Sequence, residues 1–386
     1  MKKKFSKGEL ARYLAKKNIR SSRKRKLASV RLQREKRKKS KNKVLNLLNE
    51  YKGKRQKFLK NYFRHIKRKS GTTTISIVGD LGLETDPSMF LTMASSFIEF
   101  QTTCVLFDLK DCTRIWPTGI TLLCSFAKWA EMTNMPSSSR KISSTNSLNN
   151  QVNDYLAHCG FYDFVGIKLK TKSSVIYDDS RIVKIQRETN KGKINERENQ
   201  VISVLEQYSA FTADQLEDFI DNVLTEVFNN VTEHGITFRD DGWWVLAQYH
   251  EKTKIVSICI ADNGIGIKNS LLTGPQLEFI KKEIKNVSGE GDYMNLSFSK
   301  NVSGAITASE IRKSFFGRNT VERGARRGQG LKVIIEKCAE LDVGFSILSR
   351  KGYMTLVNGK AEFKSFPRDI FSGTMYHFIV RARDVL

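Results

Sequence analysis

The apolar segment from Ile255 to Asp262 constrains the fold of this chain more than any other feature. It reads IVSICIAD and runs directly into NGIGI. A short apolar run that ends at glycines is typical of a buried strand. Gly264 and Gly266 allow the backbone to bend away from the strand and to approach a ligand closely. The segment therefore predicts a strand that presents the Asp262 carboxylate to an exocyclic amine such as that of adenine, although a simple turn has the same glycine spacing.

A second motif, TEVFNNVTEHG, lies on a predicted amphipathic helix before this strand. Glu226 and Asn230 are four residues apart and therefore lie on one face of the helix. A carboxylate beside an amide oxygen is suited to orienting water and to holding Mg²⁺ through oxygen ligands. An ordinary amphipathic helix would show the same spacing, so the motif alone leaves both interpretations open.

The third motif, RRGQGLKVIIEKCAEL, begins at Arg326. Gly328 and Gly330 precede a predicted helix, and the free N–H groups at a helix start can bind phosphate. Arg326 and Arg327 add positive charge at the same place. A flexible loop that leads into a helix is the alternative, and the presence of the other two motifs disfavours it.

In this order, the three motifs resemble those of the GHKL ATPase family, whose members share the Bergerat nucleotide-binding fold. The resemblance covers residues 201–386 and is strongest to the anti-sigma-factor serine kinases, because of the helix TEVFNNVTEHG. It implies that Glu226 is the base that activates water or a hydroxyl group, and that Asn230 is a ligand of Mg²⁺. It implies ATP and Mg²⁺ as cofactors and assigns ATP binding to Asn230, Asp262, Gly264, Gly266, Gly328, Gly330, Leu331 and Thr374.

The chain departs from this family in its lid. Residues 268–327 occupy the place of the lid and are much longer than in the small kinases. Four basic residues in this stretch are candidates for phosphate contacts, namely Arg318, Arg323, Arg326 and Arg327.

Residues 71–170 predict an α/β layer, because predicted strands such as TTTISIV and TCVLFDL alternate with helices. The helices begin at Pro87, after Asp86 as N-cap, and at Pro117. The runs CVLFDLKDCTRIWPTGITLLCSFAKWA and YLAHCGFYDFVGI resemble the STAS-like fold of anti-anti-sigma factors. In that family a partner kinase phosphorylates a serine at the start of the helix. Here Thr118 keeps a hydroxyl at that place, so it is either a phosphoacceptor or a residue that helps to cap its helix.

The charge of the chain is concentrated at its N-terminus. The formal net charge is +26, and residues 1–70 contain 29 lysine and arginine residues against three glutamates, so the remainder is neutral. The sequence of this arm predicts a segment that is partly helical and partly disordered and that binds a polyanion. Nucleic acid is the favoured partner, because its binding releases counterions and because aromatic residues of the arm can stack on bases. An anionic membrane surface, a protein partner and a solvated tail are the alternatives.

The sequence thus predicts a basic arm (1–70), a STAS-like α/β domain (71–170), a polar linker (171–200) and an α+β sandwich of the Bergerat type (201–386). The six cysteines are scattered without C-x-x-C pairs, which predicts reduced thiols rather than disulfides or zinc ligands. Neither a secretory signal nor an apolar stretch of the roughly 20 residues that span a bilayer is evident. We therefore expect a cytoplasmic protein.

Two functions follow as hypotheses. In the first, ATP drives a regulatory switch, slow hydrolysis supported by Glu226 resets it, and the STAS-like domain offers a surface for a protein partner. In the second, the protein is a serine/threonine kinase that acts on Thr118 or on a partner. A sensor histidine kinase is a weaker alternative, because His65 and His158 lack a helical-hairpin setting. The paired resemblances suggest stress or defence signalling in a bacterium and leave homo-oligomerisation open.

Overall fold

The structure is a computed structural model that describes residues 69–97, 102–132, 142–167, 178–188, 193–234, 242–273, 289–299 and 330–384. The basic arm before residue 69 lies outside these residues, and so do Arg318, Arg323, Arg326, Arg327 and Gly328. All described residues belong to one compact unit. Among them, no helix is long and apolar enough to cross a membrane.

The N-terminal layer, residues 69–167, alternates strands and helices. In chain order its elements are β1 (Lys69–Ser76), β2 (Gly79–Leu81), α1 (Pro87–Phe97), β3 (Thr102–Asp108), β4 (Cys112–Ile115), α2 (Pro117–Met132), β5 (Ile142–Ser144), α3 (Asn150–His158) and α4 (Phe161–Val165). Strands β1, β3 and β5 form a parallel sheet in the order β1-β3-β5, and β2 pairs with β4. The predicted α/β class of this layer is therefore confirmed at the level of its elements.

Both predicted helix starts in the N-terminal layer are confirmed. Helix α1 begins at Pro87, and the Asp86 carboxylate accepts a hydrogen bond from the Met89 N–H at 3.0 Å. Helix α2 begins at Pro117. Two short helices, α3 and α4, follow residue 150, and Gly160 between them has a φ of +85°. This left-handed conformation suits glycine and ends the helical turn.

The C-terminal sandwich, residues 182–384, is built on one large sheet. Its elements are β6 (Ile182–Glu188), α5 (Ile194–Tyr208), α6 (Ala213–Phe219), a π-helical turn (Ile220–Leu224), α7 (Thr225–His234), β7 (Trp243–His250), β8 (Ile255–Asp262), α8 (Gly266–Thr273), α9 (Glu290–Ser299), α10 (Gly330–Glu340), β9 (Gly344–Ser349), β10 (Gly352–Val357), β11 (Lys360–Ser365) and β12 (Thr374–Arg381). Seven antiparallel strands are ordered β11-β10-β9-β12-β8-β7-β6. The elements agree with the predicted α+β class, whereas the Bergerat-type architecture stays a prediction.

The large sheet is covered on both faces. On one face, buried residues such as Val256, Ile258 and Ile260 form a core with the helices of the sandwich. On the other face, Trp244 and Ala261 join the core of the N-terminal layer, and α2 packs against β7 and β8. A strand that is buried on both sides needs apolar residues without alternation, which explains the continuous apolar run of β8.

The interval 171–200, predicted to be a linker, differs in the structure. Strand β6 lies within it and forms the edge of the large sheet beside β7, and α5 begins at Ile194. The buried Arg197 donates a hydrogen bond to Glu188 at 2.8 Å and fixes α5 to β6. Four of the seven residues of this edge strand are polar, and they concealed its apolar positions in the sequence.

Candidate functional site

Asp262 ends the central strand β8 and faces the helices of the sandwich. The residue is only 2% exposed, and its carboxylate accepts a hydrogen bond from the Gly264 N–H at 2.6 Å. Burial raises its pKa to about 7, although backbone hydrogen bonds from Gly264 and Thr374 and the charge of Arg350 act in the opposite direction. A carboxylate has about four lone-pair positions, so these contacts leave acceptor capacity for a ligand.

Thr374 and Asn230 lie close to this carboxylate. Thr374 is directly opposite Asp262 in the antiparallel pair of β12 and β8. Tyr376, two residues further along β12, contacts the Asn230 side chain with its hydroxyl. Burial raises the pKa of Tyr376, and the nearby Asp262 carboxylate raises it further. The structure therefore brings three of the predicted site residues together at one end of the central strands.

Glu226 lies one turn before Asn230 on α7, and both residues are partly buried. The helix follows a π-helical turn at Ile220–Leu224, which the sequence did not predict. Such widened turns are frequent at functional sites. Helix α7 packs on β8, so the two candidate Mg²⁺ residues belong to the same face of the sheet as Asp262.

The loop after Asp262 is held tightly by the end of β9. Gly266 has a φ of +76°, and a Cβ atom there would lie 2.7 Å from Cγ of Arg350. The Ile267 N–H donates to Ser349 Oγ at 2.8 Å, and Arg350 Nη2 donates to the Gly264 carbonyl at 3.0 Å. Ser349 and Arg350 fix this loop, and no motif in the sequence identified them.

Only part of the third motif falls in the described residues. Gly330 is the first residue of α10, and Leu331 is partly buried. The helix packs against α7, which carries Asn230, and against β9. The structure thus brings the helix of the third motif beside the helix of the second.

A buried polar contact joins the Asp262 loop to the N-terminal layer. The hydroxyl of Ser125 on α2 lies 2.5 Å from Oδ1 of Asn263 and 2.7 Å from Oγ of Ser372. The side-chain amide of Asn263 donates back to the Ser125 carbonyl at 2.9 Å. All three residues are buried, so the loop that carries Asp262 is directly bonded to α2.

Thr118 does not have the exposure that a phosphoacceptor needs. Its exposed fraction is 0%, and its hydroxyl accepts a hydrogen bond from the Leu83 N–H at 2.9 Å while donating to Glu84. The hydroxyl thus joins the start of α2 to the segment after β2. The burial and the hydrogen bonds of this hydroxyl favour a structural role, and the phosphoacceptor assignment stays a prediction.

A separate cleft of about 810 Å³ lies where the N-terminal layer meets the far end of β7. Trp116, Tyr155 and His250 line it, together with the basic residues Arg114 and Lys252. Burial lowers the pKa of His250 to about 4, so this imidazole is neutral at pH 7. None of the predicted nucleotide residues in the described part of the chain lines this cleft.

No family model, curated protein or solved structure matches this chain. The resemblances to GHKL ATPases and to STAS-like proteins therefore remain predictions that rest on the quoted motifs. The fold and the candidate site define a mixed protein of helices and strands with a buried carboxylate at the end of a central strand.

Proposed function

We propose that this protein binds ATP with Mg²⁺ at the end of β8 and acts as a nucleotide-dependent switch. The proposal rests chiefly on one observation: the loop that carries Asp262 and Gly264 is also hydrogen-bonded to α2 through Asn263 and Ser125. A ligand that changes this loop would also change its bond to the N-terminal layer. A switch requires such a shared element, because a ligand shifts an equilibrium only through contacts that differ between two states.

The oxygen atoms of the site are suited to binding adenine and Mg²⁺. The Asp262 carboxylate has acceptor capacity for the adenine amine, while Asn230 and Glu226 offer oxygen atoms of the kind that Mg²⁺ prefers. When bound, Mg²⁺ would neutralise charge on the phosphates. Glu226 would orient or deprotonate the attacking water and so support slow hydrolysis that resets the switch.

Calorimetric titration of the full chain with ATP and Mg²⁺ tests the binding proposal. We expect Asp262→Asn to weaken ATP binding at least about tenfold, since a lost hydrogen bond to a charged group is worth about 1.5–3 kcal/mol. Asp163→Asn, an exposed change on α4, serves as the control and should leave the affinity unchanged. Equal affinities of Asp262→Asn and wild type would exclude the adenine assignment.

The alternative chemistry is phosphotransfer to a protein hydroxyl. Because Thr118 is buried, a kinase of this kind would act on a partner rather than on its own Thr118. Product analysis with labelled ATP separates the two activities, since hydrolysis yields free phosphate alone and a kinase yields stable phosphoserine or phosphothreonine. Thr118→Ala should be labelled to the same extent as wild type, and a selective loss of label in that variant would instead identify Thr118 as the acceptor.

We further propose that residues 1–70 bind nucleic acid. The support is the net charge of +26 in that segment against a neutral remainder. Lysine and arginine at this density displace the counterions of a polyanion, which makes the binding strongly salt-dependent.

A further inference from the structure

A buried polar cluster lies between the large sheet and the N-terminal layer, on the face of the sheet opposite to Asp262. It consists of Glu84, Ser257, Cys259 and His377 and is called here the interlayer cluster. The side chain of Glu84 is 1% exposed and that of His377 is 3% exposed, and Ser257 and Cys259 are fully buried. Ionisable groups this deeply buried require a charge partner or a metal ion.

The fold places these groups on facing surfaces. Cys259 on β8 and His377 on β12 are direct partners in the antiparallel pair, so their side chains lie side by side on one face. Ser257 is two residues before Cys259 and therefore lies on the same face. Glu84 reaches this face from the segment between β2 and α1 of the N-terminal layer.

The 3.4 Å between the His377 nitrogen and the Glu84 oxygen matches two ligands of a shared ion, whereas the Ser257 hydroxyl lies at hydrogen-bond distance from both atoms. Nε2 of His377 lies 3.4 Å from Oε1 of Glu84, and Oγ of Ser257 lies 3.1 Å from that oxygen and 3.2 Å from that nitrogen. The ligand atoms of Glu84, Cys259 and His377 all lie within 4.8 Å of one another. Atoms bound to one tetrahedral zinc ion at 2.0–2.3 Å are separated by about 3.3–3.8 Å, whereas a charged N–H···O hydrogen bond is about 2.7–2.9 Å long.

The charges in the interlayer cluster also favour a bound divalent cation. Among the described residues, His377 is the ion-pair partner of Glu84, and no lysine or arginine in this part of the chain forms an ion pair with that carboxylate. A divalent cation with one carboxylate, one thiolate and one neutral imidazole is electrically neutral. A thiolate–imidazole–carboxylate set also selects zinc over the hard cations Mg²⁺ and Ca²⁺, which prefer oxygen ligands alone.

We propose that Glu84, Cys259 and His377 form a zinc site that pins the N-terminal layer to the large sheet. The Ser257 hydroxyl lies within hydrogen-bond distance of the ligand atoms of Glu84 and His377. As the zinc–sulfur bond forms, the thiol proton of Cys259 is released to solvent, and the oxidation state of no atom changes. The site does not depend on ATP binding, since its residues face away from Asp262.

The direct test is zinc loading of the full chain, followed by X-ray absorption at the zinc edge. We expect one equivalent of zinc, with one sulfur neighbour at about 2.3 Å and nitrogen or oxygen neighbours at about 2.0–2.2 Å. A failure to retain stoichiometric zinc, or a coordination shell without sulfur, would overturn the proposal and leave the cluster as a hydrogen-bonded ion pair.

Cysteine variants identify the sulfur ligand. Cys259→Ser should lower zinc affinity at least about tenfold, measured in competition with a chromophoric chelator. Mutation of residues that only contact the ligands already costs about tenfold, so loss of a ligand should cost at least as much. Cys338→Ser is the matched control, because Cys338 is equally buried but belongs to the core on the helical face of the sheet. If Cys259→Ser does not fold, Glu84→Gln should show a loss of the same size. Unchanged affinity in the folded variant would reject the assignment.

Discussion

At the scale of single residues, the site holds a carboxylate in a setting that opposes its charge. Asp262 is buried at the end of β8, and its pKa is raised to about 7 from an ordinary value of 3.8. Between about pH 4 and about pH 7, the native state therefore keeps a proton on Asp262 that the unfolded chain has already released. Such a buried carboxylate destabilises the folded protein at pH values where it is charged. Binding sites often retain groups of this kind, because a hydrogen-bond acceptor in a pocket without water binds its ligand strongly.

The raised pKa of Asp262 predicts a pH-dependent effect of Asp262→Asn on stability. In the wild type, the contribution of Asp262 to the free energy of unfolding decreases by up to about 4 kcal/mol as pH rises from about 4 to about 7. The asparagine variant does not titrate, so its melting temperature relative to wild type should rise between pH 5 and pH 8. Thermal unfolding at several pH values measures this difference, and parallel profiles of the two proteins would contradict it.

At the scale of elements, the start of α8 depends on a close approach between the Gly266 backbone and the side chains at and just after the end of β9. Gly266→Ala should destabilise the protein, because the residue has a φ of +76° and its Cβ would lie 2.7 Å from Cγ of Arg350. Gly166→Ala is a matched control with a φ of +73° and no heavy atom within 4 Å of the added Cβ. The control carries only the backbone cost of about 1–2 kcal/mol. The Gly266 variant should lose at least about 1 kcal/mol more through overpacking.

Denaturant unfolding of both glycine variants measures this difference. Equal losses would mean that the loop relaxes away from Arg350 and that the close approach does not constrain it. ATP binding should also weaken in Gly266→Ala alone, because only this change displaces the loop beside Asp262.

Helix α2 links the candidate site to the N-terminal layer, and this link can be tested through exchange of backbone amides. ATP should slow hydrogen exchange in α2 of the wild type if the bond between Ser125 and Asn263 transmits occupancy. Ser125→Ala should bind ATP within a few-fold of wild type but lose this protection. Ser203→Ala, an exposed change on α5, should retain it. Equal protection in the Ser125 variant would show that α2 senses ATP by another route or not at all.

Element prediction from the sequence succeeded where local patterns are strong. The helix starts at Pro87 and Pro117 and the strand that ends at Asp262 all coincide with their motifs. Strand β6 was missed, because four of its seven residues are polar and the segment therefore resembles a linker. The π-helical turn before α7 has no residue signature that distinguishes it from the surrounding helix.

At the scale of the whole molecule, the chain combines a neutral body with a strongly basic arm. Deletion of residues 1–66 stops short of β1 and should leave ATP binding intact. The same deletion should abolish retention of single-stranded nucleic acid at moderate salt, since it removes nearly all of the excess positive charge. For the full chain, the logarithm of affinity should fall linearly with the logarithm of salt concentration.

Filter binding across a salt series measures both proteins. Equal retention of the deleted and full-length chains would place the nucleic-acid contacts elsewhere or exclude them. Loss of ATP binding in the deleted chain would instead show that the arm supports the body.

The sequence by itself determined the local elements and the residue types at the candidate site. Glu226 with Asn230 on one helical turn, and Asp262 at a strand end, follow from spacing alone, because helical and strand periodicity act over a few residues. Only the tertiary structure decided that α2 covers the second face of the sheet, that Thr118 is buried, and that Glu84 lies beside His377. These contacts join distant parts of the chain, and they depend on how two layers bury their apolar faces against each other rather than on any local pattern.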